Sequence, residues 1–167
     1  MALLIAEYGS LRAEILKLIE LQSQLQTLAI IAFGTTLSVG FQTESAVVML
    51  IQPALSLLLG ASWLNHAHAI HRIAAYLSGV VERRVGPEHL AWETYVRAHP
   101  LSFGRPGYWA TRSVFIVSSA LSVVVGSLIA DYDAVEIAVL ALSATAALAT
   151  SLMFFFWQEA PIPLDSD

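Results

Sequence analysis

Ser113-Val-Phe-Ile-Val-Ser-Ser-Ala-Leu-Ser-Val-Val-Val-Gly-Ser-Leu-Ile-Ala130 contains no Asp, Glu, Lys or Arg. Roughly 20 such residues in a helix cross a bilayer's hydrocarbon core, which is about 30 Å thick. Residues 25–41, 46–65 and 137–157 read the same way, and polar or aromatic residues bound them: Phe41 and Gln42, Trp63 and Asn65, Asp131 and Tyr132, Phe156 and Trp157. Across all 167 residues the chain is 57% hydrophobic and 13% charged, with a mean hydropathy of +0.69, an excess of apolar surface that a soluble domain could not hide. The sequence therefore predicts an all-α polytopic membrane protein with four transmembrane helices in two hairpins. The hairpins occupy residues 25–65 and 113–157. A helix over residues 1–24 precedes them, a helical insert over 66–112 joins them, and a tail over 158–167 follows.

Composition also excludes chemistry. The chain has no Cys, so disulfide frameworks, zinc ribbons and thiol nucleophiles are absent. With 8 Lys and Arg and a net charge of -5, it lacks the clustered cations that neutralise phosphates, and no nucleic-acid partner is expected. Those basic residues fall in two places: Arg12 and Lys17, then Arg72, Arg83, Arg84, Arg97, Arg105 and Arg112. By the positive-inside rule both termini and the insert are cytoplasmic in a bacterial inner membrane, and only the turns near Gln42 to Ser45 and Asp131 to Asp133 face out. Three Glu within the first 24 residues argue against a signal peptide.

The insert opens with a helical period that puts Ile70, Ile73, Ala74, Leu77 and Val81 on one face and His68, Arg72 and Arg83 opposite. Gly86-Pro87 should end that helix. Pro87 should start a second one over residues 88–98 presenting Leu90, Trp92, Tyr95 and Val96, stopped by Pro100, and residues 103–109 read as a loop. Near the N-terminus, Leu4, Leu11, Leu18 and Leu25 recur every seven residues with Tyr8, Ile15 and Gln22 between them, the spacing of a coiled-coil seam. Two expectations follow: a self-associating seam in a homo-oligomer, or a helix that packs on the insert or lies along the membrane.

Few residues suggest catalysis. His66, His68 and His71 are close in sequence, but only His68 and His71 share a helical face, and no carboxylate completes a metal site. They remain the metal-ligand candidates, against a plain interfacial role. Serines in the spans have no Asp, Glu, Lys or His beside them to act as a base, so neither an enzyme nor a cofactor is expected. The same lack of ionisable residues disfavours coupled transport. What the spans do contain is small and weakly polar residues at close-packing intervals: Gly34 and Ser38; Ser56 and Gly60; Ser118, Ser122, Gly126 and Ala130; Ser143, Ala147 and Ser151. They read either as pore-lining or as contacts that bind the helices together. Gln52, beside the expected kink at Pro53, needs a hydrogen-bond partner from another helix.

Trp63-Leu-Asn-His-Ala-His-Ala-Ile-His-Arg-Ile-Ala-Ala-Tyr76 and Trp92-Glu-Thr-Tyr95 resemble a group of uncharacterised small membrane proteins of actinobacteria, with a likeness running from about Tyr8 to Arg97. The layout is also similar to that of small transmembrane effectors of bacterial antiviral systems. That resemblance implies an oligomeric pore-forming or membrane-disrupting effector. The alternative is a non-conducting anchor or adaptor that recruits a soluble cytoplasmic partner through Arg72, Arg83, Trp92 and Tyr95. In both readings the other partner is the lipid bilayer.

Overall fold

The computed structural model describes residues 2–86, 90–99 and 104–157. All regular structure among them is helical: α1 (Ala2–Gln42), α2 (Ala46–Met49), α3 (Gln52–Tyr76), a π-helical stretch Leu77–Glu82, α4 (Arg83–Val85), α5 (Trp92–Ala98), α6 (Gly104–Ile129) and α7 (Ala134–Phe156). Four helical segments are long and apolar enough to cross a membrane: Leu3–Gln42, Ala46–Val85, Trp109–Ile129 and Ala134–Phe156.

The first two segments are twice as long as a span requires. At 1.5 Å per residue, the 41 residues of α1 extend about 60 Å. The expected division at residue 24 falls inside this unbroken helix. The α3 helix likewise runs through the expected boundary at residue 66 and continues into the π stretch. Together α1 and α3 form a paired stalk on the end of the molecule where the basic residues lie. Between them, Ile15, Leu77 and Val81 are buried and packed by Leu4, Tyr8, Leu11, Ile70 and Ile73. The heptad face of α1 is thus covered from within the chain.

A second apolar cluster, Ala29, Leu64, Phe115 and Phe154, joins the spans of α1, α3, α6 and α7. Large side chains elsewhere on these helices point outward, among them Leu28, Ile30, Val117, Leu128, Leu142 and Leu148. Such a distribution suits a bundle whose outer solvent is hydrocarbon.

Local chemistry explains the ends. Glu44 adopts φ 49°, and Ser45 N–H reaches back to Gly40 O, which closes α1 with a left-handed cap. At the other turn, Asp133 accepts from Glu136 N–H at 2.7 Å while Glu136 accepts from Asp131 and Tyr132 N–H, so the start of α7 is capped reciprocally. Pro53 has no N–H to donate, and the helix is interrupted at Leu50 and Ile51 rather than merely kinked.

Two expectations about the insert need correction. Among the described residues of the helix expected over 88–98, Leu90 and Ala91 are non-helical and Trp92–Ala98 are helical, while residues 88 and 89 lie outside the described ones. The stretch 104–109, expected as loop, is the opening of α6, where Pro106 is tolerated because first-turn N–H groups have no intrahelical acceptor. Gly86 does end the preceding helix, with φ 94°. Pro87, Pro100, Phe103 and the tail over 158–167 lie outside the described residues.

Candidate functional site

Three polar assemblies stand out along the molecule. The deepest lies among the spans. Thr36 on α1 donates to Gln52 Oε1 at 3.3 Å, Gln52 Nε2 donates to Ser56 at 3.3 Å, and Ser56 meets Ser118 of α6 at 3.2 Å. Gln52 and Ser56 are fully buried, so these bonds relieve a desolvation cost that hydrocarbon would otherwise impose. Gln52 has found its partner in another helix. Ser143 of α7 donates to Leu50 O at the helix interruption, while Ala54 N–H turns to Ile51 O.

The small residues divide into two groups. Ser118, Ser122, Gly126 and Ser143 are buried inside the chain, and Ala147 is half-buried. A Cβ on Gly126 would lie 2.8 Å from Leu50 Cδ2, so this glycine sets the approach of α6 to the broken helix. Gly34 has nothing within 4 Å of where its Cβ would be, and Ser38, one turn on, is exposed and accepts from Gln42 of its own helix.

The second assembly closes the spans at the basic end. Trp157, just past α7, donates its indole N–H to His68 Nε2 at 2.9 Å, and its ring also lies against His71. The Arg112 guanidinium sits 4.6 Å over the same indole, and its Nη1 is 3.4 Å from Phe154 O near the carbonyl end of α7. Arg112 is only 1% exposed, and an aromatic face and a helix C-terminus are both suited to a desolvated cation. The two metal-ligand candidates, His68 and His71, are thereby brought together on an indole, and His68 spends its Nε2 lone pair on it. Among the described residues there is no group of three His, Asp or Glu arranged to hold a metal.

The third assembly builds the stalk. Leu77, Ser78, Val81 and Glu82 are all buried. The wider π winding brings Glu82, five residues past Leu77, round to the same inward side. There its carboxylate accepts from Glu93 N–H at 2.7 Å, Thr94 N–H at 3.2 Å and the Thr94 hydroxyl at 2.6 Å, capping α5 from outside that helix. Glu93 in turn pairs with Arg12 of α1 at 2.7 Å. On the neighbouring turn, Tyr76 donates to Glu7 at 2.6 Å. That bond requires the phenolic proton, and chiefly for this reason the Tyr76 pKa is raised; Tyr76 stands past the apolar span over 46–65. The partner-contact candidates Arg72, Arg83, Trp92 and Tyr95 are all exposed on this stalk, with Tyr95 stacked on His99 at 4.3 Å.

Leu4, Leu11 and Leu18 are half-buried along the stalk, and Leu25 continues their line into the span. Sequence reasoning gave Thr36 and Glu82 no role and read Arg112 and Trp157 only as residues flanking the spans. For Glu82 a signal existed: it is an acid directly beside the apolar stripe of Leu77 and Val81. Compared with protein families, characterised proteins and solved structures, the chain shows no match. Its own geometry carries the functional reading.

Proposed function

We propose that this chain is a four-span protein of the bacterial inner membrane, with two helical hairpins, cytoplasmic termini and a cytoplasmic stalk, acting as a non-conducting anchor that holds the stalk out to a soluble partner. The observation that carries this reading is the use of the two longest helices. Each continues about as far beyond its span as within it, and the extension is fixed by Arg12 to Glu93 and by Glu82 to α5. At its far end Leu3, Ile5, Trp92, Tyr95 and Val96 remain exposed, a set of apolar and aromatic side chains of the kind that anchors protein interfaces. The confinement of Lys and Arg to this end supports the cytoplasmic orientation.

A second reading, an oligomer that opens a pore or disrupts the membrane as an effector, draws on Gly34 and Ser38. These remain on the outer face of α1, where another copy could approach closely.

Reconstitution into dye-loaded liposomes separates the two. An anchor leaves the vesicles sealed at every protein-to-lipid ratio. Leakage that disappears in Gly34→Leu or Ser38→Leu would establish the pore instead. In cells, a photo-crosslinker at Val96 should yield a discrete adduct that Trp92→Ala with Tyr95→Ala removes while insertion is unchanged. For orientation, single Cys probes at Ser10 and Ala98 should be protected from external reagent and a probe at Thr43 labelled, without background because the chain has no Cys.

A further inference from the structure

The stalk spends most of its acids on itself and leaves arginines on its surface. Glu7 accepts from Tyr76, Glu93 pairs with Arg12, and Glu82 caps α5. Arg72, Arg83 and Arg84 are exposed and have neither an ionic nor a hydrogen-bond partner among the described residues. In a chain of net charge -5 this is a local excess of positive charge.

Two of these arginines flank an apolar patch. Arg72 and Tyr76 are four residues apart on α3 and so share a face. Arg84 stands near the same phenol: the bond to Glu7 chiefly raises the Tyr76 pKa, and the Arg84 charge works against that rise. Beside the exposed Tyr76 ring, a groove between α1 and α3 is walled by Leu11, Ala69 and Ile73, with Glu14 on the side opposite Arg72. The second span's apolar run ends at residue 65, so Arg72 stands about 10 Å beyond the hydrocarbon and Arg84 up to about 28 Å at 1.5 Å per residue. The headgroup layer is roughly 5–7 Å thick and the Debye length about 8 Å, so the bilayer does not satisfy Arg84. A soluble anion is the fitting occupant.

We propose that this face of the stalk binds an extended acidic segment of the soluble partner, with one carboxylate on Arg72, a second on Arg84, and an aliphatic side chain between them against Tyr76, Leu11 and Ile73. The spacing follows from the helix. Arg72 and Arg84 are separated by at most about 18 Å along the axis, which an extended chain at about 3.3 Å per residue covers in about five residues. Each guanidinium offers a carboxylate two parallel N–H donors, the means by which arginine clusters read acidic motifs. Glu14 opposes a third negative charge at the inner end of the groove. Resting on the anchor reading, this assignment gives the anchored partner a chemistry.

The test titrates the full-length protein, in neutral detergent, with a fluorescein-labelled peptide carrying two Glu about five residues apart around a Leu, and with an isomer of the same composition whose two Glu are adjacent. The spaced peptide should bind about five-fold more tightly, the worth of one exposed ion pair of about 1 kcal/mol. Arg72→Gln and Arg84→Gln should each weaken it about five-fold and erase its advantage over the isomer, whereas Glu14→Gln should strengthen it. All three side chains are exposed, so the variants should fold. Equal binding of the two peptides, or an unchanged affinity in Arg84→Gln, overturns the proposal. A five-fold gain on combining Glu159→Gln, Asp165→Asn and Asp167→Asn would make the chain's own acidic tail the occupant, and loss of binding in phosphatidylglycerol nanodiscs but not phosphatidylcholine ones would give the arginines to the bilayer; either result overturns it. A particle mass that falls by a whole-number factor in Arg84→Gln would place this face between copies and overturns it as well. Leaking liposomes or external labelling at Ser10 would remove the anchor reading while leaving the detergent titration readable, so the two failures are distinguishable.

Discussion

Glu82 and Gln52 bury comparable polar groups with different consequences. Glu82 is 5% exposed and accepts from two backbone N–H groups and a hydroxyl of α5. A seven-residue helix is too short to persist by itself, so removing this cap should release it. Glu82→Ala is expected to destabilise the stalk by about 2–3 kcal/mol, in the range of hydrogen bonds to a charged group. Amide hydrogen exchange should rise across Trp92–Ala98 while the spans remain protected. Gln52 is linked to Thr36 and Ser56, but the Thr36 hydroxyl also reaches Phe33 O at 3.1 Å. Gln52→Leu therefore leaves Thr36 a local acceptor, and the expected loss is about 1 kcal/mol, measured by denaturant unfolding in detergent micelles. Gln52 was legible in the sequence because an amide inside a span demands a partner. Which helix supplied it was not, since a Ser or Thr hydroxyl occurs on every span. Arg112 was read only as a flanking charge, because nothing in a linear sequence brings Trp157 over it.

At the level of helices, packing decides between glycines that look alike in sequence. Gly126 is closed in by Leu50, itself 2% exposed, whereas Gly34 opens on empty space. Gly126→Ala should push α6 from the helix interruption and cost about 1–3 kcal/mol. Gly34→Ala should be neutral or stabilise by up to about 1 kcal/mol, because nothing opposes the added methyl and glycine is a poor helix former. Thermal unfolding of the two variants in one detergent gives the comparison directly, and equal losses would show that Gly34 is also covered, by another copy of the chain. The cap at Glu44 offers a complementary test. With φ 49° in a non-glycine residue, Glu44→Gly should stabilise the end of α1 by about 1 kcal/mol. Spacing puts Gly126 in a stripe of small residues and Leu50 closes on it, but the same kind of spacing on α1 gave no sign that Gly34 points away from the bundle. Four-residue intervals define a face of a helix and carry no information about what lies opposite.

For the whole molecule, the same ambiguity governs the heptad. Charge-free runs made the four spans readable, because hydrocarbon imposes a length that local sequence must meet. The continuation of α1 and α3 into a stalk was less visible, since an apolar seam can be covered by another copy or by the chain's own next helix. Here Leu4 and Leu11, with Ile15 at the centre, lie on Ile70, Ile73, Leu77 and Val81. The period of the π stretch departs from 3.6, which hid the role of Glu82 from a helical reading. A double substitution, Leu11→Lys with Leu18→Lys, tests how the seam is used. If it serves the stalk, two cations at these half-buried positions should detach the first half of α1 from α3. Protease sites near Arg83 and Arg84 should then become accessible and exchange should rise from Ile70 to Ala98, while the mass of the particle in detergent is unchanged. A fall in particle mass by a whole-number factor, with the stalk as protected as before, would instead place the seam between copies, and the exposed end of α5 would no longer be the surface most in need of a partner.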